Sequence, residues 1–237
     1  MFRSTWRVLF AALASLLLSA CSEDFGSYRF RVTIEVETPR GMRSGSSVYE
    51  VHYSRFGGSA HADLRGQAVV VEVGDGRELF ALLAHGPTGS NTDVFPWLPV
   101  SALTGATWGW ASTEALQRAP LPEGKVDLSG PLIPTIAFST DASDPKSFQA
   151  VMPENLSAML GSGYLFRRAT LEIVPAGIWP FRNMPLHRPL WLVGEPITLD
   201  IARKLPWLDL RGGYLNGGFT CNPGLQTCLH DGNFRRP

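Results

Sequence analysis

What this chain lacks narrows it before any motif does. Its 21 lysines and arginines balance 21 aspartates and glutamates, and no basic cluster is larger than a pair such as the terminal Arg235-Arg236. Nucleic-acid binding draws on counterion release by clustered Lys and Arg, so a nucleic-acid partner is excluded. The familiar catalytic signatures are missing too. Gly45-Ser46-Ser47 and Gly161-Ser162-Gly163 both fail the G-x-S-x-G elbow of a serine hydrolase, and no phosphate-cradling G-x-x-x-x-G-K occurs. The five histidines, His52, His61, His85, His187 and His230, show no metal-ligand spacing. No apolar run approaches the roughly 20 residues that span a bilayer. Cysteine is scarce, at three residues.

What remains describes a globular protein. Apolar residues make up 44% and charged ones 18%, too hydrophobic a balance for a disordered chain. The length suits one sizeable core.

The N-terminus is the most informative stretch. Arg3 and Arg7 form a positive region, Val8 to Leu18 is almost wholly apolar, and Ser19-Ala20 supplies small residues for a signal peptidase. Leu18-Ser19-Ala20-Cys21 resembles the lipobox of bacterial lipoproteins. The resemblance implies cleavage before Cys21, a diacylglycerol thioether on its sulfur and an acyl chain on its new amino group. Residues 1–20 are then a signal peptide, and 21–28 a short lipidated tether. Two or more acyl chains anchor a protein stably, so the membrane is the first expected partner. Many lipoprotein systems use an Asp after the Cys for inner-membrane retention, and Ser22 stands there, which implies the periplasmic face of the outer membrane.

With Cys21 assigned to lipid, Cys221 and Cys228 form a pair in an oxidising compartment. Pro223-Gly224 between them fits a type II turn that would bring the sulfurs together as a disulfide. A metal site built from Cys221, Cys228 and His230 is the alternative, but it lacks a fourth nearby ligand and any CxxC pair. No cofactor is expected.

Alternation points to β-structure. Phe30, Val32, Ile34 and Val36 fall on one face of a strand, with Arg29, Arg31, Thr33, Glu35 and Glu37 on the other. Thr38-Pro39-Arg40-Gly41 turns the chain into a second strand over Ser47 to Tyr53. Gln67 to Val73 and Glu78 to Leu83 are apolar on both faces and flank the tight turn Gly74-Asp75-Gly76. From His85 to Pro131 the pattern dissolves, with Trp97, Trp108 and Trp110 embedded in it. Such tryptophans pin a loop to its domain, or, if Trp108-Gly109-Trp110 is extended, place two indoles together for sugar or headgroup contact. Leu132 to Ser139 returns as a strand, and Asp141 and Asp144 read as turn residues rather than calcium ligands. A short helix starts at Pro153 and ends at Gly161, and Leu165 to Val174 is a strand whose phase slips at Ala169 as a bulge would make it. Leu205-Pro206-Trp207-Leu208 reads as an apolar plug.

The expected fold is mainly β, an antiparallel β-sandwich-like domain over 29–211 with one or two short helices, α+β being the alternative. Residues 212–237 are expected to be an extension carrying the disulfide loop. Thr33 to Gly41, Gly45 to Val51 and Glu195 to Leu208, in that order, look like an uncharacterised family of bacterial proteins, a resemblance that implies no activity.

For chemistry, Glu35, Glu37 and Glu50 are candidate paired carboxylates, but cross-strand pairing with arginines is the simpler reading. His52 and Glu50, two apart on one strand and so on one face, are the least implausible catalytic pair. The expected function is a noncatalytic binding or scaffolding role at the membrane surface, with an envelope protein or glycan as partner. A membrane-attached hydrolase acting on peptidoglycan, glycan or lipid is the alternative. Cys21→Ala is expected to abolish palmitate incorporation and to move the protein from the membrane to the soluble fraction; persistent labelling would remove the anchor from the account.

Overall fold

The computed structural model describes residues 22–87, 89, 91–185, 187–209, 220–222 and 227–236. Cys21 and its lipidation lie outside them, as does the Pro223-Gly224 turn. The fold is mainly β, two antiparallel sheets face to face in a β-sandwich-like arrangement.

The first hairpin joins β1 (Ser22–Thr38) to β2 (Gly41–Phe56) through Pro39-Arg40. Its inward side chains, Phe30, Val32, Ile34, Val36, Tyr49, Val51 and Tyr53, are all buried, as the alternation requires. β1 nevertheless starts earlier than the tether expected over 21–28. Ser22 to Tyr28 already pair with β2, and the register shifts between Asp24 and Gly26. That bulge, with Gly26 at a positive φ, breaks the alternation from which a strand would be read. β3 (Ser59–Gln67) extends the same sheet.

At Ala68 the chain turns a corner into the second sheet, where β4 (Val69–Gly74) and β5 (Arg77–Ala81) form the expected tight hairpin. Asp75 and Gly76 both have positive φ, the signature of a primed two-residue turn. Gly45 of β2 packs so closely on the Val70 carbonyl that a Cβ there would collide with it.

The weakly patterned stretch after His85 supplies α1 (Leu98–Thr104), α2 (Trp110–Arg118) and β6 (Lys125–Leu128). Trp97 is buried, its ring stacked on Tyr53 at 5.1 Å, and Trp108 meets His85 edge-on at 5.2 Å. Both pin the segment to the core. Trp110 opens α2, is 48% exposed and lies under the Arg55 guanidinium, so the two indoles of Trp108-Gly109-Trp110 are not paired on one side. β7 (Ile136–Ser139) and β8 (Gln149–Val151) complete the second sheet in the order β4-β5-β7-β8. The short helix at Pro153 includes α3 (Leu156–Leu160) and ends at Gly161. β9 (Leu165–Val174) returns beside β1, with Arg167 as the extra residue of a bulge two positions from the slip read at Ala169. A single helical turn, α4 (Leu190–Val193), follows.

The remaining strands are short. β10 (Thr220–Asn222) and β11 (Thr227–Leu229) pair so that Cys221 stands opposite Cys228 along the backbone; their side chains, and with them the disulfide and metal alternatives, lie outside the described residues. β12 (Arg235–Arg236) pairs with β3, giving the larger sheet the order β12-β3-β2-β1-β9-β6.

Two cores result. One fills the space between the sheets. The other lies on the far face of the smaller sheet, where Phe80, Leu82, Ala137 and Phe148 are covered by Ile201, Leu205, Trp207, Leu208, Leu229 and Phe234. The plug at Leu205 to Leu208 therefore docks as expected, and within the stretch 212–237 the described Leu229 and Phe234 join the same core. Phe234 is fully buried, edge-on to Phe148 and Trp207, and its carbonyl accepts from Ala68 N. Apolar burial on both faces of this sheet is what its doubly apolar strands demanded.

Removing a buried Phe costs about 3–5 kcal/mol. Phe234→Ala is expected to lower the urea midpoint by an amount of that order, and an unchanged midpoint would make the C-terminal segment dispensable to the core.

Candidate interaction site

The outward face of the larger sheet carries arginines and glutamates at alternate positions, and their surroundings differ sharply along it. Glu35 pairs with Arg168 and Glu37 with Arg167 on the exposed part of the face, the cross-strand pairing expected of them. Arg29 and Glu50 lie opposite one another on β1 and β2, yet Arg29 is only 1% exposed and Glu50 9%.

The cover is the segment that follows β9. Arg29 Nε donates to Glu50 Oε2 at 2.8 Å, while its other nitrogens donate to the Glu195 carbonyl and to Asn183 Oδ1. Arg182 reaches the same Glu50 oxygen at 2.7 Å. Arg31, one position outward, pairs with Glu172 and Glu195. Burial acts to raise the Glu50 pKa, but hydrogen bonds from Arg182 and Arg29 outweigh it and hold the carboxyl below its ordinary range. Asn183 sits in the left-handed region, which Asn tolerates better than most residues. Gly177 and Gly194 are required by proximity, since a Cβ on Gly194 would strike both Ala176 and Arg29 Nη1.

This brace presents a loop whose apolar side chains face solvent. Trp179 is 79% exposed, Trp191 65% and Ile178 52%, and Phe181, Met184 and Leu190 are exposed as well. The loop is closed at its base by Ile178 N to the Leu192 carbonyl and Asn183 N to the Val193 carbonyl. Beside it a groove of about 630 Å³ is lined by Ser27, Tyr28, Lys125, Glu172, Ala176 and Trp191. Several large apolar side chains exposed on one loop of a folded domain mark a contact surface.

Glu50 and His52, the least implausible catalytic pair, do not come together. The Glu50 carboxylate is taken by two arginines, whereas His52 Nδ1 shares a hydrogen bond with Ser27 Oγ at 3.1 Å and His52 Nε2 lies 3.7 Å from Asp24. Ser27, His52 and Asp24 thus meet as a Ser/His/Asp set that sequence spacing did not reveal. The carboxylate stands beyond hydrogen-bond reach and is itself largely exposed, so it orients the imidazole weakly. His85 is buried between Phe95 and Trp108 with Nδ1 on the Pro131 carbonyl, and burial pushes its pKa down to about 4. His61 and His187 are exposed, and His230 caps the last helical turn. Asp141 serves its turn through Ser143. Among the described residues no three His, Cys, Asp or Glu side chains gather as metal ligands, and no helix is long and apolar enough to cross a membrane.

The loop was missed because residues 175–194 follow no strand or helix period. A compositional signal exists there: no acidic residue between Glu172 and Glu195, and apolar side chains at six of the positions from Ile178 to Trp191 that prove exposed. Comparison of the chain with protein-family models, curated proteins and solved structures found no match.

Removing one partner of a buried ion pair costs about 3–5 kcal/mol, against at most about 1 kcal/mol for an exposed one. Arg29→Ala is therefore expected to lower the unfolding free energy several times more than Arg168→Ala, measured by urea titration; equal losses would mean the cover is not braced by Arg29. The acid limb of stability has two parts. His85 is held neutral, so its contribution is intact above its ordinary pKa of 6.5 and is lost as the pH falls toward about 4. Glu50 is held ionised, so its contribution is present above 4.5 and is lost as the pH falls through its lowered native value. In thermal melts across this range, His85→Gln is expected to flatten only the upper part, and an unchanged slope there would show that His85 does not titrate with unfolding.

Proposed function

We propose that this chain is a lipid-anchored protein of a bacterial envelope, held on the periplasmic face of the outer membrane, with a noncatalytic binding or scaffolding role at the membrane surface. The observation that carries the reading is the apolar loop at 178–191, exposed to solvent and braced by the buried Arg29–Glu50 pair and the partly exposed Arg182. Desolvating an arginine and a glutamate is costly unless every polar partner is matched. Here the matched network fixes a surface that water alone would not favour. An envelope protein or glycan is the partner class this reading includes, and the anchor at Cys21 supplies the location.

A membrane-attached hydrolase is the second reading, favoured by the contact of Ser27 with His52 beside Asp24. Ser27 lies within β1, its backbone paired to His52 across the hairpin, rather than on the sharp turn that exposes a nucleophile. The two readings separate in a deletion strain complemented with variants. Trp179→Ser combined with Trp191→Ser is expected to abolish complementation with an unchanged circular dichroism spectrum, whereas Ser27→Ala and His52→Ala complement fully. Loss in the Ser27 and His52 variants, together with fluorophosphonate labelling of Ser27, would establish the hydrolase in its place.

A further inference from the structure

We propose that the loop at 178–191 inserts its aromatic side chains into the interface of an anionic phospholipid bilayer, so that the domain holds the membrane at a second point besides its anchor. This rests on the lipid-anchored reading and names the partner of the same surface.

Charge is the first argument. From Ile173 to Gly194 the chain has no Asp or Glu, but it has Arg182, His187 and Arg188. Arg182 is engaged by Glu50, while His187 and Arg188 are exposed among the apolar side chains. A basic, acid-free apolar segment complements a negatively charged headgroup layer, and tryptophan is enriched at that depth because its ring is apolar and its N–H polar.

The manner of presentation is the second. Trp179 and Trp191 stand out from the loop with most of their surface in solvent. Interface residues that meet a protein are commonly set into a patch of matching shape, whereas a bilayer accepts individually projecting side chains without one. Pro180, Pro185 and Pro189 restrict the backbone between the exposed residues.

Position is the third. β9 leaves β1 at Val174 opposite Arg29, and Pro175, Ala176 and Gly177 line the groove with Ser27 and Tyr28, nearer the end of the sheet where β1 begins. Trp191 lines the groove with Ser27, five residues from Ser22, a separation of about 17 Å along a strand. Ser22 directly follows Cys21. Phe56, paired with Ser22, is 60% exposed, and Trp110 lies exposed under Arg55 at the same end. An acyl group on Cys21 therefore brings this end of the sheet, with its exposed aromatics, to the bilayer that holds the anchor.

The test uses the full chain purified with its anchor and reconstituted into vesicles of phosphatidylethanolamine, phosphatidylglycerol and a brominated phosphatidylcholine, whose bromines quench nearby tryptophans. Trp179→Phe with Trp191→Phe keeps the apolar contact and removes the reporters. The native protein is expected to be quenched, and the double variant to lose roughly half or more of that quenching, since only interfacial indoles approach the brominated chains. Replacing phosphatidylglycerol by phosphatidylcholine is expected to weaken the native signal. Equal quenching of native and variant protein overturns the inference. A benzophenone amino acid at Phe181 that crosslinks in cells to one protein, without bromolipid quenching in vesicles, overturns it in favour of a protein contact. Palmitate labelling of Cys21 is read separately: labelled protein without loop quenching leaves the anchored reading standing and removes the loop from the bilayer. Loop quenching in protein that takes no palmitate supports the insertion and removes the anchor.

Discussion

Two opposite charges buried on the wrong side of a sheet organise this molecule. Arg29 and Glu50 sit on the face that alternation assigns to solvent, and water is kept from them by the segment after β9. A guanidinium offers five donors in a fixed plane, so it can be covered only by a chain that brings acceptors to the right places. The Glu50 carboxylate, the Glu195 carbonyl and the Asn183 side chain do so. The cost of that closeness is seen in the backbone, where Gly177 and Gly194 leave no room for a Cβ and Asn183 adopts a positive φ. Without this pair the loop would have no reason to lie where it does.

The same principle governs the other outer face. A two-sheet sandwich has one shared interior and two outer surfaces, and here the described residues after Val174 are divided between those surfaces. Residues after Val174 cross the larger sheet, tied by Arg29 and by Thr198 to Val48. Ile201, Leu205, Trp207, Leu208, Leu229 and Phe234 instead bury the apolar far face of the smaller sheet. One cover is held by ions and hydrogen bonds, the other by packed rings. Gln67 stands where they meet, bonding to Asp200 and to the Ile201 backbone.

Strands with a clean period were legible because burial on one face or both leaves a direct mark on residue order. Phe30 to Val36 shows the alternating mark, and Val69 to Val73 the continuous one. The turns were legible from Pro39 and from Gly74 to Gly76, whose backbone needs are specific to residue type. Ser22 to Tyr28 was not, because the Gly26 bulge disturbs the period just where the strand begins. The site was not legible for a different reason. Nothing local distinguishes Arg29, which is buried, from Arg31, which is half-exposed, since the difference is made by Asn183 and Glu195 more than a hundred and fifty positions away. His52 could be picked out as a titratable group on a strand, but its partners, Ser27 and Asp24, come from pairing across a hairpin.

Phe234 and its neighbours give the fold a temporal order as well as a spatial one. Any process that delivers the chain from its N-terminus presents β1 and β2 well before the Phe234 ring of the second core, which comes about 170 residues after Ala68, the residue whose N–H its carbonyl accepts from. Until Ile201 and the later residues of this core arrive, the outer face of the smaller sheet, Phe80 and Leu82 included, has no lid. An apolar face left open in this way is adhesive, and it stays so until those covering residues follow.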